Sequence, residues 1–139
     1  MISSRFTVAI HILALIEMSE GSITSAYIAG SVNTNPVVIR RIMSLLSKAG
    51  LIESRPGVTG MKLVRPLESI TFLDVYRAVE VPENDVLFAI HQNSNPQCVV
   101  GRNVQNALEE PLLEAQRQME LSLANTTVAQ VVRQMESKQ

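Results

Sequence analysis

The chain has 139 residues, 46% of them hydrophobic but only 4% aromatic, with no Trp. This composition suits one aliphatic, helix-rich core, and no apolar run is long enough to cross a bilayer. A single cysteine excludes an internal disulfide framework, and a net charge of −1 weighs against a nucleic-acid partner unless the charge is unevenly spread.

The first helix is expected from about Ser4 to Met18, with Phe6, Ala9, Ile10, Leu13 and Ile16 at helical spacing and Ser3 or Ser4 as its cap. His11 and Glu17 lie inside this apolar stretch and only Arg5 precedes it. It therefore reads as a core helix of a cytoplasmic protein rather than a secretory leader. His11 reads as a packed core histidine.

A second helix begins at Thr24, its natural cap, and turns Ile28, Ala29 and Val32 inward. The turn is Asn33-Thr34-Asn35-Pro36. Asn35 suits the cap of a third helix, and Pro36 its first position, where a missing N–H costs nothing. Val38, Ile42, Leu45, Leu46 and Ala49 are its expected buried stripe, and Gly50 stops it. Leu51–Ser54 and Met61–Val64 read as two short strands around the tip from Arg55 to Gly60.

Thr71 and Asp74 make a capping box with Asp in place of the usual Glu, opening a helix to about Val79. The stretch 81–100 is broken by Pro and Asn, with a short helix expected over Asn84–Ala89. From Gly101 to Ala124 the residues Val104, Leu108, Leu112, Ala115, Met119 and Leu123 recur at spacings of three and four. Pro111 predicts a kink there, or two stacked segments. Thr127 with Gln130 is a last capping box, opening a helix to about Met135.

Two helices around a tight turn, then a basic hairpin, is the order of a winged helix-turn-helix. The fold class is thus mainly α with a small β-wing, plus a long C-terminal helix. Between Asn35 and Pro66 there are six basic residues against one acidic, whereas from Val81 onward there are four basic against seven acidic. The positive charge gathers where the third helix and hairpin lie, as a surface for duplex phosphates would require. An unevenly charged solvated surface would show the same imbalance.

In such a module the second helix enters the major groove with its N-terminal end at the base edges. Asn35, Pro36 and Val37 lie at that end, although capping explains the first two equally well. Arg40 and Arg41 follow, one expected to face DNA while the other pairs with an acid; Ser44 lies on the same outer surface. Arg can grip a guanine edge or a phosphate through two bonds. Ser25 and Tyr27 open the helix that crosses the backbone, though Tyr27 serves as well in packing. Arg55 and Lys62 flank the wing, with Thr59 and Gly60 at its tip, placing an Arg at the minor groove. A hairpin made soluble by charge is the plainer alternative.

The sequence resembles the Rrf2 family of bacterial winged helix-turn-helix regulators over nearly its whole length. SSRFTVAIHILALI is similar to the family's opening helix. IRRIMSLLSKAGLIESRPGVTGMKLVRPLESITFLDVYRAVE carries the most specific likeness. The resemblance implies sequence-specific binding of double-stranded DNA at a pseudo-palindromic operator, usually repression, and a homodimer built on the helix from Gly101 to Ala124. It divides the chain into a DNA-binding domain (1–80), a sensor-type loop (81–100), and a dimerisation helix with a C-terminal helix (101–139).

Many members hold an iron–sulfur cluster on three cysteines in that loop. The corresponding positions here are His91, Cys98 and Asn103, only one of them a thiolate. No cluster, metal or other cofactor is expected, and the resemblance is to cluster-free members. Cys98 is the candidate redox sensor, just ahead of a helix with Arg102 four residues on. A lone Cys is otherwise a small hydrophobe. No catalytic constellation or phosphate-cradling Gly-rich loop is present, so the chain is not read as an enzyme. A protein–protein adaptor that uses the winged fold as a scaffold is the alternative function, since fold does not fix function.

Overall fold

The computed structural model describes residues 3–19, 23–54, 60–80 and 86–137. The elements in order are α1 (Arg5–Met18), α2 (Ser25–Val32), α3 (Pro36–Lys48), β1 (Ile52–Ser54), β2 (Met61–Leu63), a 3-10 turn (Leu67–Ser69), α4 (Phe72–Val79), α5 (Val99–Ala124) and α6 (Val128–Glu136). The chain forms two compact units, residues 1–81 with 124–139, and residues 82–123.

Local signals set most helix starts in the first unit. Thr24 and Asn35 accept hydrogen bonds from the N–H groups of Tyr27 and Val38, each at 3.0 Å. Thr71 and Asp74 form a reciprocal capping box, as do Thr127 and Gln130. At α1 the side chain of Ser4 makes no cap; Ser3 Oγ accepts from the N–H of Arg5 at 3.2 Å instead. Two helix ends are closed by left-handed residues, Asn33 (φ 66°) after α2 and Gly50 (φ 77°) after α3. Leu51 N–H reaches back to the Leu46 carbonyl at 3.1 Å, the long-range bond that defines this type of helix stop.

The core gathers α1, α2, α3 and α4 around Ile12, Leu13, Ile28, Ile39, Ile42, Leu46 and Val75, all fully buried. Phe6 meets Phe72 edge-on with ring centroids 5.7 Å apart, and Tyr76 at 6.4 Å, joining α1 to α4. The face of α3 is rotated from the expected one. Ile39, not Val38, occupies the core, and Ala49 is exposed. Three successive β-branched residues open this helix, so their spacing alone leaves its azimuth open, and packing against α1 and α4 decides it.

The wing is a two-stranded antiparallel sheet with Ile52 opposite Leu63, Glu53 opposite Lys62 and Ser54 opposite Met61. Leu51 and Val64 lie outside the strands but stay joined, Val64 N–H donating to the Leu51 carbonyl at 3.1 Å. Ser3 Oγ donates to Glu80 Oε1 at 2.5 Å and Arg5 to Glu80 Oε2 at 3.2 Å, fastening the start of α1 to the end of α4.

The last helix belongs to this unit too. Val128, Ala129 and Val132 are buried in its core. Thr71 and Thr127 form an antiparallel bridge, with Phe72 N–H on the Thr126 carbonyl at 2.8 Å and Val128 N–H on the Ile70 carbonyl at 2.9 Å. The sequence grouped this helix with the long one before it; packing places it against α1 and the 3-10 turn.

In the second unit α5 runs 26 residues without interruption through Pro111. It is a single helix rather than two stacked segments, and it begins two residues earlier than expected. Pro111 and Ala107 both lie on exposed positions, so the carbonyl that loses its N–H partner is open to water. Of the short helix expected over Asn84–Ala89, the first two residues lie outside the described residues. Val86–Ala89 are not helical, and Leu87 N–H instead donates to Gln116 Oε1 of α5 at 2.9 Å.

Candidate nucleic-acid interface

The start of α2, one flank of α3 and the first residue of β2 border a shallow, open groove of about 610 Å³. Of the residues expected to touch DNA, four meet there: Ser25, Arg40, Ser44 and Gly60. Helical spacing explains part of this. Arg40, Ser44, Ser47 and Lys48 stand at i, i+4, i+7 and i+8, one stripe of α3. Opposite them lie Ile23, Thr24 and Ser25, with Gly60 and Met61 on the wing side.

Gly60 makes the close approach possible. Its φ is +83°, and a β-carbon there would stand 2.6 Å from the Ile23 carbonyl oxygen. Only glycine satisfies both the left-handed backbone and the contact, so the wing is seated directly on the chain entering α2.

The other predicted residues surround the groove without lining it. Asn35 caps α3 and Pro36 occupies its first turn. Val37 is 54% exposed beside them, and Tyr27 is 56% exposed on α2. Arg41 is exposed but turned away from the groove lining. Lys62 is half-buried on β2. Arg55 and Thr59 lie outside the described residues.

Lys48 and Ser47, which are not among the residues expected to touch DNA, also line the groove. Their spacing from Arg40 and Ser44 was the signal that could have found them. Neither Arg40 nor Arg41 pairs with an acid among the described residues, contrary to the expectation for one of them. Further along the basic segment, Arg65 is committed, bound to Asp74 at 2.9 Å. His11 is half-buried at the edge of the core rather than within it, and its Nε2 lies 2.9 Å from Oγ of the exposed Ser31.

In the second unit Cys98 is an exposed free thiol at the start of α5. His91 is exposed, and the Asn103 amide donates to the Val99 carbonyl of its own helix at 2.7 Å. Among the described residues no three His, Cys, Asp or Glu side chains stand together as metal ligands. An iron–sulfur cluster needs several thiolates, and Cys98 is the chain's sole cysteine, so the donor set does not fit one. No described helix is long and apolar enough to cross a membrane.

A tight helical pair whose second helix presents cations, backed by a two-stranded wing, defines a winged helix-turn-helix protein. The chain belongs to the Rrf2 family, whose model, described as an iron-dependent transcriptional regulator, matches residues 2–134. It is 52% identical over 132 residues to YwnA of Bacillus subtilis strain 168, a chain named as an HTH-type transcriptional regulator, covering 95% of this chain and 97% of that one. A crystal structure described as that of a DNA-binding protein is 47% identical, covers 92% of this chain and 98% of its own, and superposes with a TM-score of 0.75. CymR of B. subtilis, the global cysteine regulator, shares the fold at 22% identity and a TM-score of 0.69, with 96% of each chain covered. The family and YwnA are described as regulators of transcription, not enzymes.

Proposed function

We propose that the chain is a dimeric, sequence-specific DNA-binding repressor that works without an iron–sulfur cluster. The observation that carries this reading is the groove where Arg40 and Lys48 stand beside Ser25 and Ser44 with no ion pair among the described residues. Cations left uncompensated on a helix-turn-helix surface are what duplex phosphates would neutralise.

Support for a homodimer comes from α5. Its Val99, Val100, Leu113 and Leu121 are exposed, and only Gln116 of its 26 residues is buried. A long helix with so much exposed apolar surface suits a two-fold partner, and two recognition helices suit a pseudo-palindromic operator. In this reading residues 1–80 bind DNA, 81–100 form a sensor-type loop, and α5 is the dimer helix. Cys98, exposed at the end of that loop, is the sensing thiol, trapped by the partner's equivalent thiol or by a small thiol.

The test is selection of bound fragments from the source genome by the purified protein, followed by titration of the recovered duplex at several salt concentrations. A recurrent two-fold motif, bound with affinity that falls steeply with salt and by a dimer in sedimentation, is expected. Indifference to sequence and salt would instead indicate the protein–protein adaptor.

A further inference from the structure

The groove holds more than the base-reading end of α3 needs. That end is the first turn, where Val37 and Arg41, four residues apart, share an outward stripe. The groove lies on the adjoining stripe and extends two turns further, to Lys48. Among the described residues no acidic side chain lines it. Arg40 and Lys48 are about 12 Å apart along the helix axis, and Ser44 lies midway between them. Both side chains are long enough to converge on one point above Ser44. Thr24 faces that point from α2. Its oxygen already accepts the Tyr27 N–H at 3.0 Å, which leaves its hydroxyl proton to donate elsewhere.

Two cations on either side of Ser44, with hydroxyls beside them, Ile23, Met43 and Met61 as an apolar floor and no acid among the described lining residues, suit one oxyanion. Guanine alone offers such a pair of cations two acceptors in the major groove, whereas every phosphodiester does, and the groove lies off the stripe that leads to the base edges.

We propose that this groove seats a single phosphodiester of the DNA backbone, held by Arg40 and Lys48 with Thr24 and Ser44 donating, while base reading falls to Val37 and Arg41. The assignment deepens, and rests on, the DNA-binding reading above. It makes Arg40 and Lys48 positioning residues, which fix where α3 sits along the duplex and add affinity that is blind to sequence. Arg41, the immediate chain neighbour of Arg40, has the opposite role.

The experiment uses the full chain, the duplex recovered by genomic selection, and a random-sequence duplex of the same length. The R40Q/K48Q double variant is expected to weaken binding to both duplexes by the same factor. It should also flatten the slope of log affinity against log salt by about 0.9 per subunit, the loss of one phosphate contact. R41Q should instead lower the preference for the selected duplex by about five- to 150-fold. A scan with neutral methylphosphonate linkages should find one position per half-site that weakens the wild-type protein but not the double variant. The assignment is overturned if the double variant loses preference while keeping its salt slope, or if every methylphosphonate position affects both proteins alike. Wild-type protein that binds neither duplex would remove the DNA-binding reading itself, a separate result from either of these. All three side chains are exposed, and an unchanged thermal melt confirms that each variant is folded.

Discussion

Gly60 and Ile23 touch backbone to backbone: a β-carbon on Gly60 would lie 2.6 Å from the Ile23 carbonyl oxygen and 3.1 Å from its nitrogen. The wing is therefore keyed to the segment that leads into α2, and the groove beside them depends on this contact. Replacing Gly60 with Ala meets two obstacles at once, a φ of +83° and immovable backbone atoms. The expected cost is about 1–3 kcal/mol of stability, read from denaturant unfolding. DNA affinity should fall further than stability alone explains, because the wing must shift. A Gly60→Ala protein with wild-type stability would show that the contact is looser than described.

The rotated face of α3 has its own test. Ile39 is 0% exposed, whereas Ala49 is exposed. Ile39→Ala should cost about 2–5 kcal/mol through lost burial and a residual cavity. Ala49→Lys should change stability by no more than about 0.5 kcal/mol. The reverse ranking, measured by thermal or urea unfolding, would restore the face expected from the sequence.

The paired starts of α4 and α6 should behave as one structure. Thr71 and Thr127 each cap a helix and bridge to one another. Either Thr→Ala change should cost about 1 kcal/mol as a lost cap. Because the two residues are in contact, the double variant should depart from the sum of the singles by about 0.5 kcal/mol or more. Strict additivity in a double-mutant cycle would mean that the bridge transmits nothing between the helices.

On α5, hydrogen bonds from Gln118 and then Arg117, together with the Arg117 charge, hold the Glu114 carboxyl below its ordinary value of 4.5. The side chain is exposed, so its effect on stability is screened and small. Its sign is definite: the contribution is present above the ordinary pKa and fades as pH falls through the lowered one. NMR titration should place the Glu114 midpoint below 4.5, and Gln118→Ala should move it upward. A midpoint at or above that value would remove these bonds from solution.

Much of the fold was legible because helix starts are written in short-range chemistry. Thr24, Asn35, Thr71 with Asp74, and Thr127 with Gln130 each act as caps where their spacing predicts. What escaped depended on neighbours distant in the chain. Val37, Val38 and Ile39 are similar in character, and only packing selects Ile39 for the core. Pro111 allows a kink or two stacked segments, and the chain does not break there: one helix of 26 residues runs through it. At the interface, the types and spacing of Arg40 and Ser44 were readable. The sequence contains no sign that Thr24, 24 residues before Lys48, faces the same groove.

The return of α6 has a consequence for synthesis. Val128, Ala129 and Val132 fill the core of a unit whose other members end near residue 81. On the ribosome, the helix-turn-helix and wing emerge first and must wait, incompletely covered, while the whole intervening segment is translated. A nascent chain arrested before Val128 would lack that cover, so the helix-turn-helix unit has its full core only once α6 has been made.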